Sequence, residues 1–310
     1  MLVFVGLKKK RRGLAERLGI RGRSLVIALP YVWLLLFFLF PFVIVLKLSF
    51  SEAAIAMPPY SPLWTWAEGI YLQIQLSFES YQLLLEDALY IKSYLTSLKI
   101  AAISTLLALL IGYPMAYGMV RAPKRWRMTL LMLVILPFWT SFLIRVYAWI
   151  GILKNEGLLN LLLLKLGIIS EPLAMLNTNF AVYVGIVYSY LPFMILPLYA
   201  NLEKLDGSLL EAAADLGCKP FKAFWSITIP LSLPGIIAGC FLVFRPAVGE
   251  FVIPDLLGGS DTLMIGKTLW VEFFNNRDWP LASAVAVLLL IILIVPIVLF
   301  QKFQERAATK

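Results

Sequence analysis

Histidine is absent from the 310 residues of the chain, and cysteine occurs only twice. Without histidine, the chain has neither a histidine general base nor histidine ligands for zinc. Cys218 and Cys240 fall in a predicted cytoplasmic loop and in a predicted membrane span, so a disulfide is not expected. Paired metal-ligating residues and a G-x-S-x-G nucleophile motif are missing as well. We therefore predict that the chain is not an enzyme and holds no metal or cofactor of its own.

A nucleotide-binding loop is also missing. Gly266-Lys267-Thr268 resembles the end of a phosphate-binding loop, but that motif needs a glycine five residues before its second glycine, and Asp261 stands there. The segment is also predicted to be external, away from ATP. If the chain moves a solute uphill, the energy has to come from a partner or from an ion gradient.

Apolar residues, in contrast, make up 61% of the chain, and the mean hydropathy is +0.87. Six apolar runs in the sequence reach the length of about 20 residues that a helix needs to cross a membrane. A large soluble helical protein, the alternative, has no single core that holds so much continuous apolar sequence. The pattern predicts an all-α, polytopic membrane protein. Its six transmembrane helices are expected at about 24–46, 96–120, 128–153, 179–200, 231–257 and 281–300.

The basic residues predict the orientation of these spans. Four of the segments between and beside the spans hold 18 Lys and Arg residues, whereas the other three hold five. The basic segments are 1–24, 121–127, 201–230 and 301–310, and the others are 48–95, 154–178 and 258–280. Since segments rich in Lys and Arg stay in the cytoplasm, both termini are expected inside. The net charge of +9 then reflects cytoplasmic segments rather than a nucleic-acid partner.

This topology divides the chain into three parts. Residues 1–24 form a basic cytoplasmic segment, 25–301 form one six-span domain, and 302–310 form a short cytoplasmic tail. The six-span domain contains a cytoplasmic loop at 201–230, which is the longest polar interruption in the second half of the chain.

The segment 211–230 within this loop predicts a helix–turn–helix. It opens with the strong helix formers of 211–214. Gly217 and Pro220 predict that this helix stops and turns. A second short helical run ends at Pro230, after which a membrane-length apolar run begins. Such an element on the membrane surface is either an ordinary amphipathic helix or a docking element for a partner protein.

The spacing within this segment resembles the EAA signature of the permease subunits of ABC importers. That signature reads E-A-A, three residues, G, nine residues and I-x-L-P. Here Glu211-Ala212-Ala213 is followed by Gly217 and by Ile227-x-Ile229-Pro230, with isoleucine in place of leucine. Six spans and a basic N-terminus also resemble the family, so the likeness covers essentially the whole chain.

In this family the loop is a coupling helix that sits in a cleft of the ATPase subunit. The resemblance implies that Glu211, Ala212, Ala213 and Asp215 contact the ATPase and that Gly217 makes the turn. It also implies the partners: an ATPase dimer that holds ATP and Mg, a second homologous permease, and a periplasmic substrate-binding protein. The expected location is the lipid bilayer of a bacterial inner membrane.

Four further stretches resemble the polyamine branch of the family, at 136–145, 191–194, 203–217 and 276–280. Within that branch the chain is most similar to the permeases of putrescine importers. The resemblance implies that putrescine or a related polyamine is translocated by alternating access. The alternatives are the same machine with spermidine, a ferric ion or an inorganic anion as its substrate, an ion-gradient-driven carrier, and a non-transporting membrane scaffold.

A polyamine needs carboxylates and aromatic faces along its route, because these hold an ammonium group. The candidates on the external half are Glu250, Phe251, Asp255, Asp278 and Trp279. The candidates for the wall of the path are Trp139, Tyr147, Trp149, Tyr188 and Tyr190. Aromatic residues near span ends are more often interfacial anchors. An acid within a span, in contrast, faces a cavity or a partner, which makes Glu250 the strongest candidate.

Two arginines, Arg145 and Arg245, favour the opposite interpretation. Both fall within predicted spans, where a lone charge is costly, and two arginines beside an open pathway would suit an anion. Arg245 has an alternative, because Glu250 five residues later or an acid of a partner subunit could neutralise it.

Overall fold

The computed structural model describes residues 22–67 and 71–308. Most of the predicted basic segment 1–24 therefore lies outside the described residues, as do the last two residues of the predicted tail. Within the described ranges the helices are α1 (Gly22–Leu34), α2 (Phe40–Leu48), α3 (Glu79–Glu86), α4 (Ala88–Arg121), α5 (Lys124–Ile135), α6 (Phe142–Leu153), α7 (Leu158–Lys165), α8 (Asn179–Leu202), α9 (Ser208–Asp215), α10 (Pro220–Ala223), α11 (Ile229–Val248), α12 (Val252–Leu256), α13 (Ile265–Trp270) and α14 (Trp279–Ala308).

Among the described residues, four helical stretches are long and apolar enough to cross a membrane: Val26–Leu48, Ala88–Arg121, Asn179–Leu202 and Pro220–Val248. Two further stretches, Lys124–Trp139 and Phe142–Lys165, form a fifth candidate that is bent by 90°. The last predicted span corresponds to the apolar part of α14, Trp279–Val295, which is shorter. The prediction of a helical, polytopic membrane protein is confirmed, whereas the number of six spans stays a prediction.

The third predicted span, 128–153, corresponds to two helices joined at a bend rather than to one straight helix. α5 runs into a 3-10 turn, Leu136–Trp139, after which Thr140 is extended. Pro137 begins this turn, where its missing N–H breaks no helical hydrogen bond. The hydroxyl of Thr140 donates to the carbonyl of Pro137 at 2.7 Å and closes the break. α5 and α6 therefore point in directions about 90° apart.

The fifth predicted span begins and ends earlier than predicted. Pro220–Val248 is one continuous helical stretch, so the predicted break at Pro230 is wrong. A π-helical turn precedes Pro230, and in it the N–H of Ile229 donates to the carbonyl of Phe224. This wider turn accommodates the missing N–H of the proline. At the other end α11 stops at Val248, so that Glu250 lies in the gap before α12.

α4, α8 and α11 pack side by side and form the centre of the bundle. One cluster of buried apolar residues includes Ile186 and Val248, and a second includes Met194 and Val243. Small residues let α8 and α11 approach closely. At Gly239 an added Cβ would lie 2.7 Å from the sulfur of Met194.

Gly235 on α11 gives a test of this close packing. An added Cβ would lie 2.7 Å from the Cβ of Asn201 and 3.1 Å from the carbonyl oxygen of Pro197 on α8, whereas nothing lies within 4 Å of the same position at Gly118. We expect Gly235→Ala to lower the free energy of unfolding by about 1–3 kcal/mol, because the two helices have to separate. Gly118→Ala is the matched control and is expected to be neutral, or stabilising by up to about 1 kcal/mol.

Thermal unfolding of the purified protein in detergent measures both variants. A melting temperature for Gly235→Ala equal to that for Gly118→Ala would contradict the close contact between α8 and α11.

The segment between α2 and α4 contains a small departure from the helical pattern. The strands β1 (Trp64–Ala67) and β2 (Tyr71–Ile74) pair antiparallel, with Trp64 opposite Ile74. α4 then begins at Ala88 rather than near 96, because the carboxylate of Asp87 accepts the N–H of Leu89 at 2.8 Å and caps the helix.

α4 is consequently longer than a span needs. Its 34 residues extend about 51 Å, whereas the hydrocarbon of a bilayer is about 30 Å thick. Towards its start, the hydroxyl of Ser97 accepts the N–H of Ile265 on α13 at 2.7 Å. Towards its end, the hydroxyls of Tyr113 and Ser232 on α11 are 2.9 Å apart. One helix thus contacts α13 near its start and α11 towards its end.

Candidate coupling surface and solute pathway

α9 forms the first half of the predicted helix–turn–helix. The carboxylate of Asp206 accepts the N–H of Ser208 at 3.0 Å, and this hydrogen bond lowers the pKa of Asp206 below its ordinary value. Gly217 ends the element with a φ of +75°, a left-handed conformation that glycine adopts without strain. The N–H of Cys218 donates to the carbonyl of Ala213 at 2.9 Å. The chain therefore reverses after α9 and enters α10, as the sequence predicted.

The residues of α9 divide between an exposed and a buried face. Glu211, Ala212 and Asp215 are exposed, and so is Gly217 at the turn. Ala213, in contrast, is buried against its own chain, with 8% of its surface exposed. Successive helical residues point about 100° apart, so the faces of adjacent residues differ. Ala213 therefore packs against its own chain, and its predicted contact with a partner stays a prediction.

Two exposed apolar side chains flank these polar residues and were not predicted. Leu216 is 88% exposed and Phe221 is 76% exposed. Both side chains are therefore accessible to a partner at the turn that follows α9. Their apolar character is visible in the sequence, but their exposure depends on the turn at Gly217. We refer to the exposed residues of this loop as the coupling surface: Leu209, Glu211, Ala212, Asp215, Leu216 and Phe221.

Glu250 lies in the gap between α11 and α12 and is buried, with 7% of its surface exposed. Its Oε1 accepts the N–H groups of Val252 at 3.1 Å and Ile253 at 3.4 Å, and its Oε2 accepts the hydroxyl of Tyr190 on α8. A carboxylate has about four acceptor positions, so these three donors leave room for one more. Glu250 therefore fixes the start of α12, and the fold brings the predicted candidates Glu250 and Tyr190 together.

Among the described residues Glu250 forms no ion pair with Arg245, so it does not neutralise this arginine, and an acid of a partner subunit stays a prediction. Arg245 is exposed, and its guanidinium lies 5.4 Å from the ring centroid of Phe241. Arg145 lies 4.9 Å from the ring centroid of Phe138, and its Nε and Nη1 are buried without a hydrogen-bond acceptor among the described residues.

The aromatic candidates lie in separate places. Trp149 and Tyr188 contact each other edge to face, with their centroids 5.4 Å apart. Trp139 and Tyr147 are exposed, at 77% and 57%, as expected for residues that face lipid or a partner. Of these aromatic residues, Tyr190 is the one whose hydroxyl bonds to Glu250.

Phe251 and Asp255 each have a partner on α13. The rings of Phe251 and Trp270 are stacked, with their centroids 4.7 Å apart and an angle of 10° between their planes. Asp255 lies 3.3 Å from the ammonium of Lys267. The sequence did not identify Trp270, which falls in the predicted external loop 258–280 without a motif to distinguish it.

Asp278 and Trp279 lie where α14 begins. The carboxylate of Asp278 accepts the N–H of Leu281 at 2.9 Å. Burial raises the pKa of Asp278 above its ordinary value, and the hydrogen bond from Leu281 offsets part of this effect. Trp279 stacks on Phe273, with their centroids 5.3 Å apart. Both predicted candidates thus have local roles at this helix start.

Comparison with known proteins identifies the family. A family model described as a binding-protein-dependent transport system inner membrane component matches residues 108–310. The chain belongs to this family. The matched region includes the coupling surface and the gap that holds Glu250. The predicted resemblance to the permeases of ABC importers is confirmed.

Two relatives of this inner membrane component are similar over most of their length. The chain is 42% identical over 265 residues to the spermidine/putrescine transport system permease protein PotB of Haemophilus influenzae, covering 86% of this chain and 88% of that protein. It is 42% identical over 261 residues to PotB of Escherichia coli, covering 84% and 90%. Both relatives are named for two polyamines.

The fold of this inner membrane component also resembles a solved transporter. A crystal structure of a bacterial alginate ABC transporter, in complex with an alginate pentasaccharide-bound periplasmic protein, matches with a TM-score of 0.71. The match covers 96% of this chain and 98% of that chain at 17% identity. At this identity the likeness supports the permease fold.

Proposed function

We propose that this inner membrane component is the permease subunit of an ATP-driven importer that carries putrescine or a related polyamine into the cell. The observation that carries the proposal is the buried carboxylate of Glu250, in a gap of a membrane helix and hydrogen-bonded to Tyr190. A carboxylate beside an aromatic ring can hold an alkylammonium group through charge and through the ring face. The names of the PotB relatives support the same class of substrate.

The coupling surface supports a division of labour between chains. A partner ATPase dimer holds ATP and Mg, and its closure moves α9 on the cytoplasmic side. A second homologous permease completes the pathway, and a periplasmic binding protein delivers the solute. The spans then alternate between inward-open and outward-open states, with both termini of this chain in the cytoplasm. The substrate crosses the membrane through the pathway that changes between these two states. Glu250 therefore has to release the ammonium group when the pathway opens inwards.

The arginines are compatible with a cationic substrate. Arg145 packs on the ring of Phe138, and Arg245 is exposed beside Phe241. Both are more than a salt-bridge distance from the carboxylate of Glu250, since the described ion pairs join other residues. The proposed pathway at Glu250 and Tyr190 therefore keeps its negative charge.

Uptake of radiolabelled putrescine and spermidine tests the proposal, with membrane vesicles that contain the full complex. We expect ATP-dependent accumulation of putrescine, with unlabelled spermidine as a competitor. Accumulation of ferric ion or of an inorganic anion instead would contradict the polyamine assignment. Uptake that follows an ion gradient and needs no ATP would identify a secondary carrier and overturn the proposal as a whole.

A further inference from the structure

One ion pair joins the end of α8, where the loop with the coupling surface begins, to α5. This helix is not adjacent to that loop in the sequence. Glu203 caps the end of α8, and Arg127 lies in the first turn of α5. Arg127 Nη1 lies 3.9 Å from Glu203 Oε1. The same oxygen accepts the hydroxyl of Tyr199 at 3.0 Å, and Arg127 Nε donates to the carbonyl of Ala122 at 3.0 Å. The contact thus connects α5, the end of α4 and the end of α8.

The two partners of this ion pair are anchored very differently. Tyr199 is buried in the apolar cluster that includes Leu198 and Leu202, so the hydroxyl that holds Glu203 is fixed to the bundle. α5, which lies wholly within the described residues, contains no buried residue. Its half-buried Leu130, Leu131 and Val134 pack against the same cluster, and Arg127 adds a polar contact at the start of the helix.

A cavity gives α5 room to move. A half-open cavity of about 510 Å³ lies between parts of α5, α4 and α8. Its apolar walls include Met115 and Met119 of α4, Leu133 and Val134 of α5, and Ile195 of α8. Because close packing resists such movement, α5, which has no buried residue, can shift at a smaller cost than α8 or α11, which have several.

We propose that Arg127 and Glu203 are positioning residues that transmit movement of the coupling surface to α5 and, through the 90° break, to α6. This inference rests on the proposed function, in which a partner ATPase moves α9. Only the segment 204–207 separates Glu203 from α9, so a displacement of α9 is applied directly to Glu203. α8 and α11 receive the movement through the chain itself, whereas α5 receives it through the ion pair.

The test measures polyamine uptake and ATP hydrolysis in the same proteoliposomes, which contain the full complex and the binding protein. Arg127→Gln and Glu203→Gln are each expected to lower the number of putrescine molecules imported per ATP hydrolysed by about two- to fivefold, the range that a partly exposed ion pair provides. The charge-reversed double variant, Arg127→Glu with Glu203→Arg, is expected to recover most of the loss. Arg125→Gln, an exposed arginine on the same helical turn, is the matched control.

The outcomes separate this inference from the proposed function. An unchanged ratio in Arg127→Gln, in a complex whose parent shows ATP-driven uptake, overturns the inference and leaves the proposed function intact. An equal loss in Arg125→Gln, or no recovery in the charge-reversed variant, overturns it as well. A parent complex without ATP-driven uptake overturns the proposed function, and the inference with it.

Discussion

Glu211→Arg is expected to reduce ATP-driven uptake by about 100-fold, because reversing a charge within a protein interface costs several kcal/mol. Glu211 is exposed on α9, within the coupling surface. Its side chain does not contribute to a buried core, so the variant should fold and enter the membrane as the parent does. ATP hydrolysis should continue without transport, since the partner loses contact with the permease rather than its own catalytic site.

Uptake and ATP hydrolysis in vesicles, together with the amount of assembled permease, measure this effect. Glu171→Arg makes the same charge change at an exposed acid in the predicted external loop and serves as the control. Normal uptake by a well-expressed Glu211→Arg variant would remove the coupling role from this residue.

Glu250→Gln is expected to lower polyamine uptake by about 10- to 100-fold at low substrate concentration, since a hydrogen bond to a charged group contributes about 1.5–3 kcal/mol. Glutamine keeps the shape of the side chain but removes the negative charge that an ammonium group requires. Basal ATP hydrolysis should change little, because Glu250 lies in the gap between α11 and α12, away from the coupling surface. The apparent affinity for putrescine should therefore weaken more than the rate of hydrolysis falls.

Glu272→Gln provides a matched control for the loss of a buried charge. Glu272 is also 7% exposed, and its carboxylate accepts the hydroxyl of Tyr90 at 2.9 Å and the amide of Asn276 at 2.8 Å. Both variants are expected to lower thermal stability, but only Glu250→Gln should change the apparent affinity for putrescine. Equal uptake by Glu250→Gln and the parent would exclude Glu250 from the pathway.

Local features of the fold could be predicted from the sequence because adjacent residues determine them. α9 begins just after Asp206, whose carboxylate accepts the N–H of Ser208, and ends two residues before Gly217, whose positive φ favours glycine. Both signals lie within a few residues of the helix they limit. The apolar runs were equally clear, since a membrane helix requires continuous hydrophobicity.

The break in the third span could not be predicted from its proline alone. Pro114, Pro192 and Pro234 all lie inside continuous helices, whereas Pro137 lies in the break between α5 and α6. In a membrane bundle, neighbouring helices stabilise a proline within a helix, so the outcome depends on tertiary contacts.

Individual residues of the candidate site could be predicted from the sequence, but the contacts between them could not. Glu250 was identified because an acid within a predicted span is costly, yet its hydrogen bond joins the gap after α11 to Tyr190 on α8, about 60 residues earlier in the chain. The sequence also did not separate exposed Ala212 from buried Ala213, because both are small and both fit a helix. Burial of the second alanine is decided by how α9 lies on its own chain.

Because α4 is long, a small tilt of this helix moves its two ends by a measurable distance. A helix of 34 residues has arms of about 25 Å on either side of its midpoint, so a tilt of about 5° displaces each end by about 2 Å in opposite directions. Its first half is hydrogen-bonded to α13 through Ser97, and its second half is hydrogen-bonded to α11 through Tyr113. A small rotation of α4 that moves one of its ends inwards therefore moves the other end outwards, without any helix having to bend.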